Sequence, residues 1–533
     1  MIGAEMSTYH SSNLTISAYK FVDESTMAFN IGKGGVIEAP SQSISESSRM
    51  SVMARANYNY RQRYYVTVNF RSDGSSKFYP GNRVGYFPSA SLAWRVNEEP
   101  WMQSAKSWLD NLKLRASVGA SGNDRVSTYA ALAQLGTNYY AGGGSEIMGL
   151  APTASANPKL KWETTYQYNL GLDINLFEYR LNFTGDVYYK DTRDMLYKAT
   201  LSAQSGFIDQ WQNLGRVDNK GIELAVTSHN IDNRNFKWTT NVTFDLSRNR
   251  VRDIGGIEYT SVNISGGMMT NDISRIIVGQ PIGVGYGYVW DGNYQLDDFI
   301  IIDKKFGIEI PSDAVTESNY NTFNYTLKEG VPSINSMSVK PGDRKYKDLD
   351  GDGEITTADR TIISNSNPDF TMGMGNTFSW KGIEFSFFLE GVYGRDILNE
   401  YRLRSESGLS GGTAFNRLTK AAWEGRWTPE NGSQTYARLL NQSNNYVSSY
   451  YVEDASFLRL KNISLAYNFS ERICKKINFH NLKFFFNVDN AYVWTRYSGM
   501  DPDVSSSNSL FTGFDRLSYP KARSYTFGLS ATF

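Results

Sequence analysis

The stretch TYQYNLGLDINL, residues 165–176, decides the fold, because apolar side chains alternate along it with small or polar ones. One face carries Tyr166, Tyr168, Leu170, Leu172, Ile174 and Leu176. Successive side chains of a β-strand point to opposite faces, so this period of two predicts a strand with one apolar face. The segment RLNFTGDVYYKD, residues 180–191, alternates in the same way after a short turn. The two segments therefore predict a β-hairpin.

The same alternation recurs along the chain and predicts fourteen strands. They are placed at 14–31, 50–60, 63–72, 87–97, 111–120, 163–176, 179–191, 220–230, 236–248, 369–380, 383–392, 455–469, 481–494 and 522–533. Most have nine or more residues, close to the ~9–11 that a tilted strand needs to cross a bilayer. In 455–469 the alternation changes phase after Leu460, which predicts a β-bulge.

The predicted connections alternate between short turns and long polar segments. Short turns fall near 60–63, 177–179, 230–235 and 380–383, and long segments run through about 121–160, 192–218, 249–368, 393–453 and 496–520. Short turns on one side and long loops on the other are typical of outer-membrane β-barrels, whose apolar strand faces meet lipid. We therefore predict an all-β protein, a transmembrane antiparallel β-barrel with long extracellular loops.

The composition of the chain excludes several classes of function. The chain has 533 residues, with 54 Lys+Arg against 54 Asp+Glu, and this balance argues against a nucleic-acid partner. A single cysteine, Cys474, excludes a disulfide framework, and three scattered histidines argue against zinc chemistry. No run of 18 apolar residues is present, so no transmembrane helix is predicted.

The last strand, RSYTFGLSATF at 523–533, alternates and ends on an aromatic residue. We interpret Tyr525, Phe527 and Phe533 as a barrel assembly signal.

Several blocks resemble the SusC-like, TonB-dependent outer-membrane transporters of the Bacteroidota. They include YYVTVNFRSDGSSKF (64–78), LKLRASVGASGN (112–123), KWETTYQYNLGLDINLF (161–177), VGQPIGVGYGYVWDGNYQ (278–295) and YPKARSYTFGLSATF (519–533). The resemblance covers residues ~55 to 533 in the order of the family. It implies a plugged barrel of about 22 strands, of which this chain carries the C-terminal ~14, with no plug domain. We expect a sheet of this size to be open or strained by itself.

The resemblance also implies the setting of the protein. It implies an outer-membrane location, a SusD-like surface lipoprotein as partner, and contact with TonB only through a missing N-terminal part. The ligand would be a glycan oligomer first and a peptide second. On this interpretation residues 1–533 form a partial TonB-dependent receptor β-barrel, and residues 249–368 form one long extracellular loop region.

That loop region carries KDLDGDGEITTADR, residues 347–360, whose spacing fits a twelve-residue calcium loop. The predicted ligands are Asp348, Asp350, Asp352, Glu354, Thr356 and Asp359, with Gly353 at the sharp turn. Converging carboxylates repel one another unless a cation lies between them. We expect Ca²⁺ in a structural role, while a solvated acidic turn held by Asx hydrogen bonds remains the alternative.

Aromatic residues of the long loops are candidates for contact with substrate or partner. They are Trp211, Tyr288, Trp290, Trp423 and Trp427. Their rings either stack on a ligand or pack the loops, and both interpretations stay open. The carboxylates Asp291, Asp297 and Asp298 suggest a glycosidase pair, but we expect no catalytic residues and no enzyme. Three functions are therefore carried forward: an importer component, a non-transporting binding or structural outer-membrane protein and, as the weakest, a secreted carbohydrate-active enzyme.

Overall fold

The structure is a computed structural model that describes residues 1–23, 30–142, 145–262, 269, 272–334, 338–406, 418–439, 446–504 and 510–533. Its main feature is one sheet of fourteen long strands. They are β1 (Ile2–Thr15), β2 (Ser41–Tyr60), β3 (Tyr64–Ser75), β4 (Val84–Arg95), β5 (Leu109–Asn123), β6 (Glu163–Leu176), β7 (Leu181–Arg193), β8 (Arg216–Asp232), β9 (Phe236–Asp253), β10 (Phe370–Trp380), β11 (Ile383–Tyr393), β12 (Phe457–Asn468), β13 (Asn481–Thr495) and β14 (Ser524–Thr532).

The strands follow one another across the sheet in chain order, with β1 and β14 at its two ends. The pairings from β1 to β5 and from β9 to β14 are antiparallel. This confirms the predicted number of strands and their meander order. It also explains the alternation, because each strand can present one apolar and one polar face.

The predicted first strand at 14–31 is wrong. The first strand is β1, which pairs with β2 from Ile2↔Ala54 to Thr15↔Ser41. Residues 16–40 connect the two strands and contain a small hairpin of Ala18–Tyr19 and Val36–Ile37, and residues 24–29 lie outside the described part. β1 is rich in Ser, Thr and Asn and nearly all exposed, so it is defined by its backbone bonds to β2 and hardly by alternation.

The paired strands β9 and β10 show how the two faces divide. On one face Phe236 lies opposite Trp380, and Val242 lies opposite Met374. On the other face Thr243 lies opposite Gly373. One face of the sheet is thus apolar and the other polar or small, as strands between lipid and a polar interior require.

The predicted bulge in the twelfth strand is confirmed. The pairing of β12 with β11 shifts by one residue between Leu460 and Asn462, and its pairing with β13 shifts at the same place. Lys461 is the inserted residue, and the insertion keeps Leu460 and Ile463 on the apolar face although they are three residues apart.

The connections contain short elements of their own. Short strands lie at Gln134–Gly142, Ser145–Ala154, Leu196–Thr200, Asp209–Asn213, Tyr259–Ser261, Ser274–Ile277, Val284–Tyr288, Trp290–Asn293, Phe299–Asp303, Phe323–Leu327, Ser333–Ile334, Arg344–Tyr346, Glu354–Ile355, Arg360–Asn365, Asp396–Asn399, Val452–Asp454 and Phe514–Asp515. Helices are α1 (Glu400–Glu406), α2 (Lys420–Gly425) and α3 (Glu471–Lys476). Within the described ranges, none of the helices combines the length and the apolar character needed to cross a membrane.

The chain divides into two compact units. The first comprises Met1–Lys106, Asn111–Leu172 and Val187–Asp218, and its core gathers Phe78, Phe87, Leu160 and Trp162. The second comprises Ser107–Asp110, Asp173–Asp186 and Asn219–Phe533.

The loops of the second unit contain two buried clusters. One lies within the connection between β9 and β10 and includes Tyr294, Phe299, Tyr346 and Ile355. The other joins that connection to the segments around α1 and after β13, and includes Leu403, Tyr451 and Phe511. These long connections therefore form packed structure, and the acidic turn is attached to it.

Candidate functional site

The acidic turn lies on the cluster that contains Tyr346 and Ile355. Tyr346 ends the short strand before the turn, and Ile355 lies in a two-residue strand that pairs in parallel with Ser333–Ile334. Both side chains are almost fully buried. The cluster thereby fixes both ends of the turn, while the residues between them remain exposed except for the partly buried Asp348.

Three of the predicted ligands come together in the turn. One carboxylate oxygen from each of Asp348, Asp350 and Asp352 lies within 4.8 Å of the other two. Glycines allow this convergence, because Gly351 and Gly353 have φ angles of +77° and +89°, a region that other residues rarely adopt. The sharp turn predicted at Gly353 is therefore present.

The same carboxylates also organise the backbone of the turn. Asp348 accepts hydrogen bonds from the N–H groups of Gly351 (2.6 Å) and Gly353 (2.9 Å). Asp352 accepts from the N–H of Glu354 at 2.8 Å. These are the Asx hydrogen bonds of the alternative interpretation, and they leave further acceptor positions on every carboxylate.

Asp359 and Thr356 occupy a different environment from the three converging carboxylates. Asp359 is fully buried, and its two oxygens accept from the backbone N–H groups of Leu349 (2.6 Å) and Thr356 (2.7 Å). The Thr356 hydroxyl accepts from the N–H of Ala358 and caps the short 3-10 turn at 357–359. Burial by itself raises the pKa of the Asp359 carboxyl, but these backbone bonds outweigh it and hold the pKa below its usual range.

Repulsion from the neighbouring carboxylates affects the pKa of Asp350. The N–H of Asp352 favours its charged form, but partial desolvation and the carboxylates of Asp352, Asp359 and Asp348 outweigh that bond and raise its pKa. A cation that approaches a carboxylate whose pKa is raised by like charges lowers the electrostatic energy of that carboxylate. The site thus has the donor set and the charge that Ca²⁺ prefers.

Most of the predicted loop aromatics are packed inside the loops. Tyr288 and Trp427 are each 4% exposed, and Trp427 packs edge-on against Tyr320 with 5.8 Å between ring centroids. Trp290 packs edge-on against Tyr450 at 5.0 Å. In the first unit, Trp211 is half-buried beside that unit's core. Packing is therefore the main role of these rings in the structure.

Trp423 is the exception among the predicted aromatics, with 53% of its surface exposed. It lines a cleft of about 420 Å³ together with Glu317, Tyr320, Arg426 and Trp427. The Arg426 guanidinium lies 4.3 Å from the centre of the Trp423 ring and donates to the Glu317 carboxylate at 2.7 Å. An exposed indole beside a paired guanidinium and carboxylate can hold a polar ring or a planar side chain.

Sequence analysis missed Arg426 and Glu317. The motif WEGRW, with Trp423 in α2 and Arg426 and Trp427 directly after its last residue Gly425, was a local signal. Glu317 lies 109 residues away from Arg426, and no local pattern connects the two.

Of the three carboxylates considered for a glycosidase pair, Asp298 has structural partners. Asp298 accepts from the N–H of Gln295 at 2.8 Å and caps the turn at Leu296–Asp298. Its other oxygen lies 3.9 Å from the ammonium of Lys345. Asp291 and Asp297 are exposed.

Of the predicted assembly signal, Tyr525 and Phe527 lie on the apolar face of the last strand, and Phe533 directly follows the last strand residue, Thr532. Tyr525, Phe527 and Phe533 are 60%, 79% and 82% exposed, and Phe527 stacks on Phe486 of β13 at 4.6 Å. Such exposure of apolar rings fits a strand that faces lipid. Their role in assembly stays a prediction.

Comparison with known proteins gives one consistent result. A family model described as "TonB dependent receptor-like, beta-barrel" matches residues 7–371. The chain is 33% identical over 523 residues to "TonB-dependent receptor P3" of Formosa agariphila, covering 97% of this chain and 48% of that protein. It is 27% identical over 496 residues to "TonB-dependent receptor SusC" of Bacteroides thetaiotaomicron, covering 91% of this chain and 44% of that protein.

Among solved structures, "Structure of the RagAB peptide importer in the 'closed-closed' state" matches the fold with a TM-score of 0.78 and 23% identity. That match covers 100% of this chain and 53% of the other. The chain thus spans about half the length of the curated relatives and solved structures that it matches.

Proposed function

The chain belongs to the family of TonB-dependent receptor-like β-barrels, and from that premise we propose that it is the membrane-spanning part of an importer for oligosaccharides. The protein lies in the outer membrane, and its family is one of receptors, not of enzymes, so the secreted-enzyme hypothesis is dropped. The observation that carries the proposal is 33% identity to a TonB-dependent receptor along 97% of the chain, strands and loops together.

The proposed importer works with other components. A SusD-like surface lipoprotein would cover the long loops, and TonB would act through an N-terminal part of the protein. Support for a lipoprotein partner comes from the similarity to the Bacteroides SusC receptor. Peptides are the second substrate class, and the fold match to a peptide importer supports them.

The test is uptake in the native host. We expect in-frame deletion of the coding segment for this chain to abolish accumulation of a labelled oligosaccharide, and complementation to restore it. Accumulation of labelled peptides is measured in parallel to separate the two substrate classes. The wild-type strain must carry the protein in its outer membrane. If the deletion strain nevertheless takes up oligosaccharides and peptides as the wild type does, the proposal fails and a non-transporting binding or structural role takes its place.

We also propose that Asp348, Asp350 and Asp352 bind Ca²⁺ in a structural role. The convergence of three carboxylates within 4.8 Å and the raised pKa of Asp350 support this proposal. Glu354, exposed at the end of the turn, contributes its carbonyl in the predicted scheme. We expect Ca²⁺ to slow amide exchange in residues 347–360 of the wild type and to leave the exchange of Asp350→Ala unchanged. Equal exchange with calcium and with chelator in the wild type would refute the site.

A further inference from the structure

The cleft beside Trp423 combines an exposed aromatic ring with paired charged side chains. Its lining comes from two distant parts of the second unit, residues within 317–321 and within 423–439. Its volume of about 420 Å³ lies in the range of roughly 300–1,000 Å³ that is usual for small-molecule sites. The cleft is therefore large enough to hold part of a ligand.

The aromatic residues of the cleft are held in place by the protein. Trp423 lies in α2, whose first turn is capped by the hydroxyl of Thr419. Trp427 is almost fully buried and packs edge-on against Tyr320, whose hydroxyl donates to the carbonyl of Pro341 at 2.8 Å. The exposed indole of Trp423 is thus presented from a fixed position, so a ligand that packs on it does not have to order it first.

The ion pair in the cleft is also fixed by several contacts. Arg426 donates to the carboxylate of Glu317 at 2.7 Å and to the carbonyl of Trp423 at 2.8 Å. The carbonyl of Arg426 accepts from the side-chain amide of Asn431 at 2.7 Å. These bonds use only some of the N–H donors of the guanidinium and only one oxygen of the exposed Glu317 carboxylate. The pair therefore offers further donors and acceptors beside the indole.

The charges of the cleft are balanced within the protein. Glu317 pairs with Arg426, and Arg438, which also lines the cleft, pairs with the buried carboxylate of Asp343. Beside the cleft, Glu430 accepts from the N–H of Glu317 at 2.7 Å, and this bond holds the pKa of Glu430 below its usual range. Among the lining residues that the structure describes, both arginines thus have a carboxylate partner, and this favours a ligand without charge.

We propose that this cleft binds a neutral sugar residue of an oligosaccharide. The C–H groups of a sugar ring form an apolar surface that packs on an aromatic ring, and its hydroxyl groups both donate and accept hydrogen bonds. The indole of Trp423 supplies the apolar surface, Glu317 accepts from one hydroxyl and Arg426 donates to the next. Hydrogen bonds to such charged partners are about twice as strong as those between neutral groups.

A sugar fits these groups better than a peptide does. Peptides are bound mainly through their backbone along a strand edge or through a charged terminus, and the cleft offers an indole and charges that are already paired. The choice of a sugar follows from the cleft, whereas its part in import rests on the proposed function, in which the loops would hold the oligosaccharide before it enters the barrel.

The test uses the protein purified in detergent from the outer membrane of its host. Binding is measured by biolayer interferometry on immobilised neutral oligosaccharides of glucose, mannose, galactose and xylose, with oligouronates and short peptides as the alternatives. We expect a neutral oligosaccharide to bind the wild type and Trp423→Ala to weaken this binding about tenfold. Trp423→Phe keeps an aromatic ring and should stay within about threefold of the wild type. Trp101→Ala removes an exposed indole of the first unit and should change nothing.

Glu317→Gln distinguishes a neutral ligand from an anionic one. The substitution keeps the shape of the side chain and removes its charge, so a neutral sugar should bind about fivefold more weakly. An anionic ligand would bind more tightly, because Arg426 loses its carboxylate partner. The matched control is Glu424→Gln, an exposed carboxylate of α2 that does not line the cleft, and it should leave binding unchanged.

Several results would overturn the proposal. They are a lack of binding to every neutral oligosaccharide, unchanged binding by both Trp423→Ala and Glu317→Gln, tighter binding of oligouronates by Glu317→Gln than of any neutral sugar by the wild type, and a preference for peptides that Trp423→Ala removes. Heat-modifiable electrophoretic mobility checks folding, and Glu317→Gln carries the test if Trp423→Ala does not fold. Binding is measured without transport, so failure of this proposal and failure of the importer proposal are observed separately.

Discussion

Replacing Asp359 by Ala should release the acidic turn from the structure beneath it. The carboxylate is fully buried, and it accepts two short backbone hydrogen bonds, from Leu349 at 2.6 Å and from Thr356 at 2.7 Å. Alanine removes both acceptors and leaves the backbone N–H groups of Leu349 and Thr356, in a partly buried position, without their side-chain partner. The turn can then regain its hydrogen bonds only by opening to water.

The size of the effect follows from these two bonds. A hydrogen bond to a charged group contributes about 1.5–3 kcal/mol, so loss of the pair lowers the free energy of local opening by about 3 kcal/mol or more. Each 1.4 kcal/mol is a factor of ten, so the amides of Leu349 and Thr356 should exchange about 150-fold faster. Hydrogen–deuterium exchange of peptides covering 347–360, measured in chelator to exclude calcium, gives this ratio directly.

The matched control is Asp352→Ala, which removes an exposed carboxylate with one backbone bond, to Glu354 at 2.8 Å. This variant should accelerate exchange by about tenfold at most, because water can replace the lost acceptor. If Asp359→Ala exchanges no faster than Asp352→Ala, the assignment of Asp359 as the buried anchor of the turn is wrong.

Three further outcomes are expected. Because like charges raise the pKa of Asp350, calcium-free turns should open more easily as pH rises from about 4 to about 7, and added calcium should remove this trend in amide exchange. Trp427→Ala should lower the free energy of unfolding of the loops by about 3–5 kcal/mol, measured by urea-dependent proteolysis. Trp423→Ala should lower it by less than about 1 kcal/mol and should weaken ligand binding. Equal losses for the two variants would contradict the packing described. Phe533→Ala should reduce the heat-modifiable folded fraction after membrane insertion and Thr532→Ala should not, and equal fractions would remove Phe533 from the assembly signal.

The sheet was predictable because its strands alternate between a lipid-facing and a polar side. Where alternation is strong, as in 165–176, the predicted strand and β6 agree closely. Where alternation is weak, as in β1, the strand is defined by fourteen residue pairs with β2, and the side chains of β1 show no pattern that predicts a strand. The strand predicted at 14–31 lies almost entirely in the connection that follows β1.

The loops were less predictable, because long connections bury aromatic residues of their own. Tyr288 and Trp427 were candidates either for ligand contact or for packing of the loops, and the structure buries both, with 4% of each exposed. A connection as long as the one between β9 and β10 has enough residues to bury a small core. Spacing placed Asp359 in one ligand group with Asp348, Asp350 and Asp352, but the separation of Asp359 from these three converging carboxylates depends on its depth in the fold, which spacing does not report.

The most direct test of the account is a cysteine-labelling scan along β9 in intact outer membranes. The only native cysteine, Cys474, is buried and is replaced by Ser first. We predict that cysteines at 238, 242, 244 and 246 react with a lipid-soluble maleimide and resist a membrane-impermeant one, while those at 250 and 252 react with the impermeant reagent from outside. Cysteines at 239, 241 and 243 should react through water and not through lipid. Equal labelling of odd and even positions, or labelling of 250 and 252 only after the membrane is broken, would contradict a membrane-spanning strand with its long loop outside.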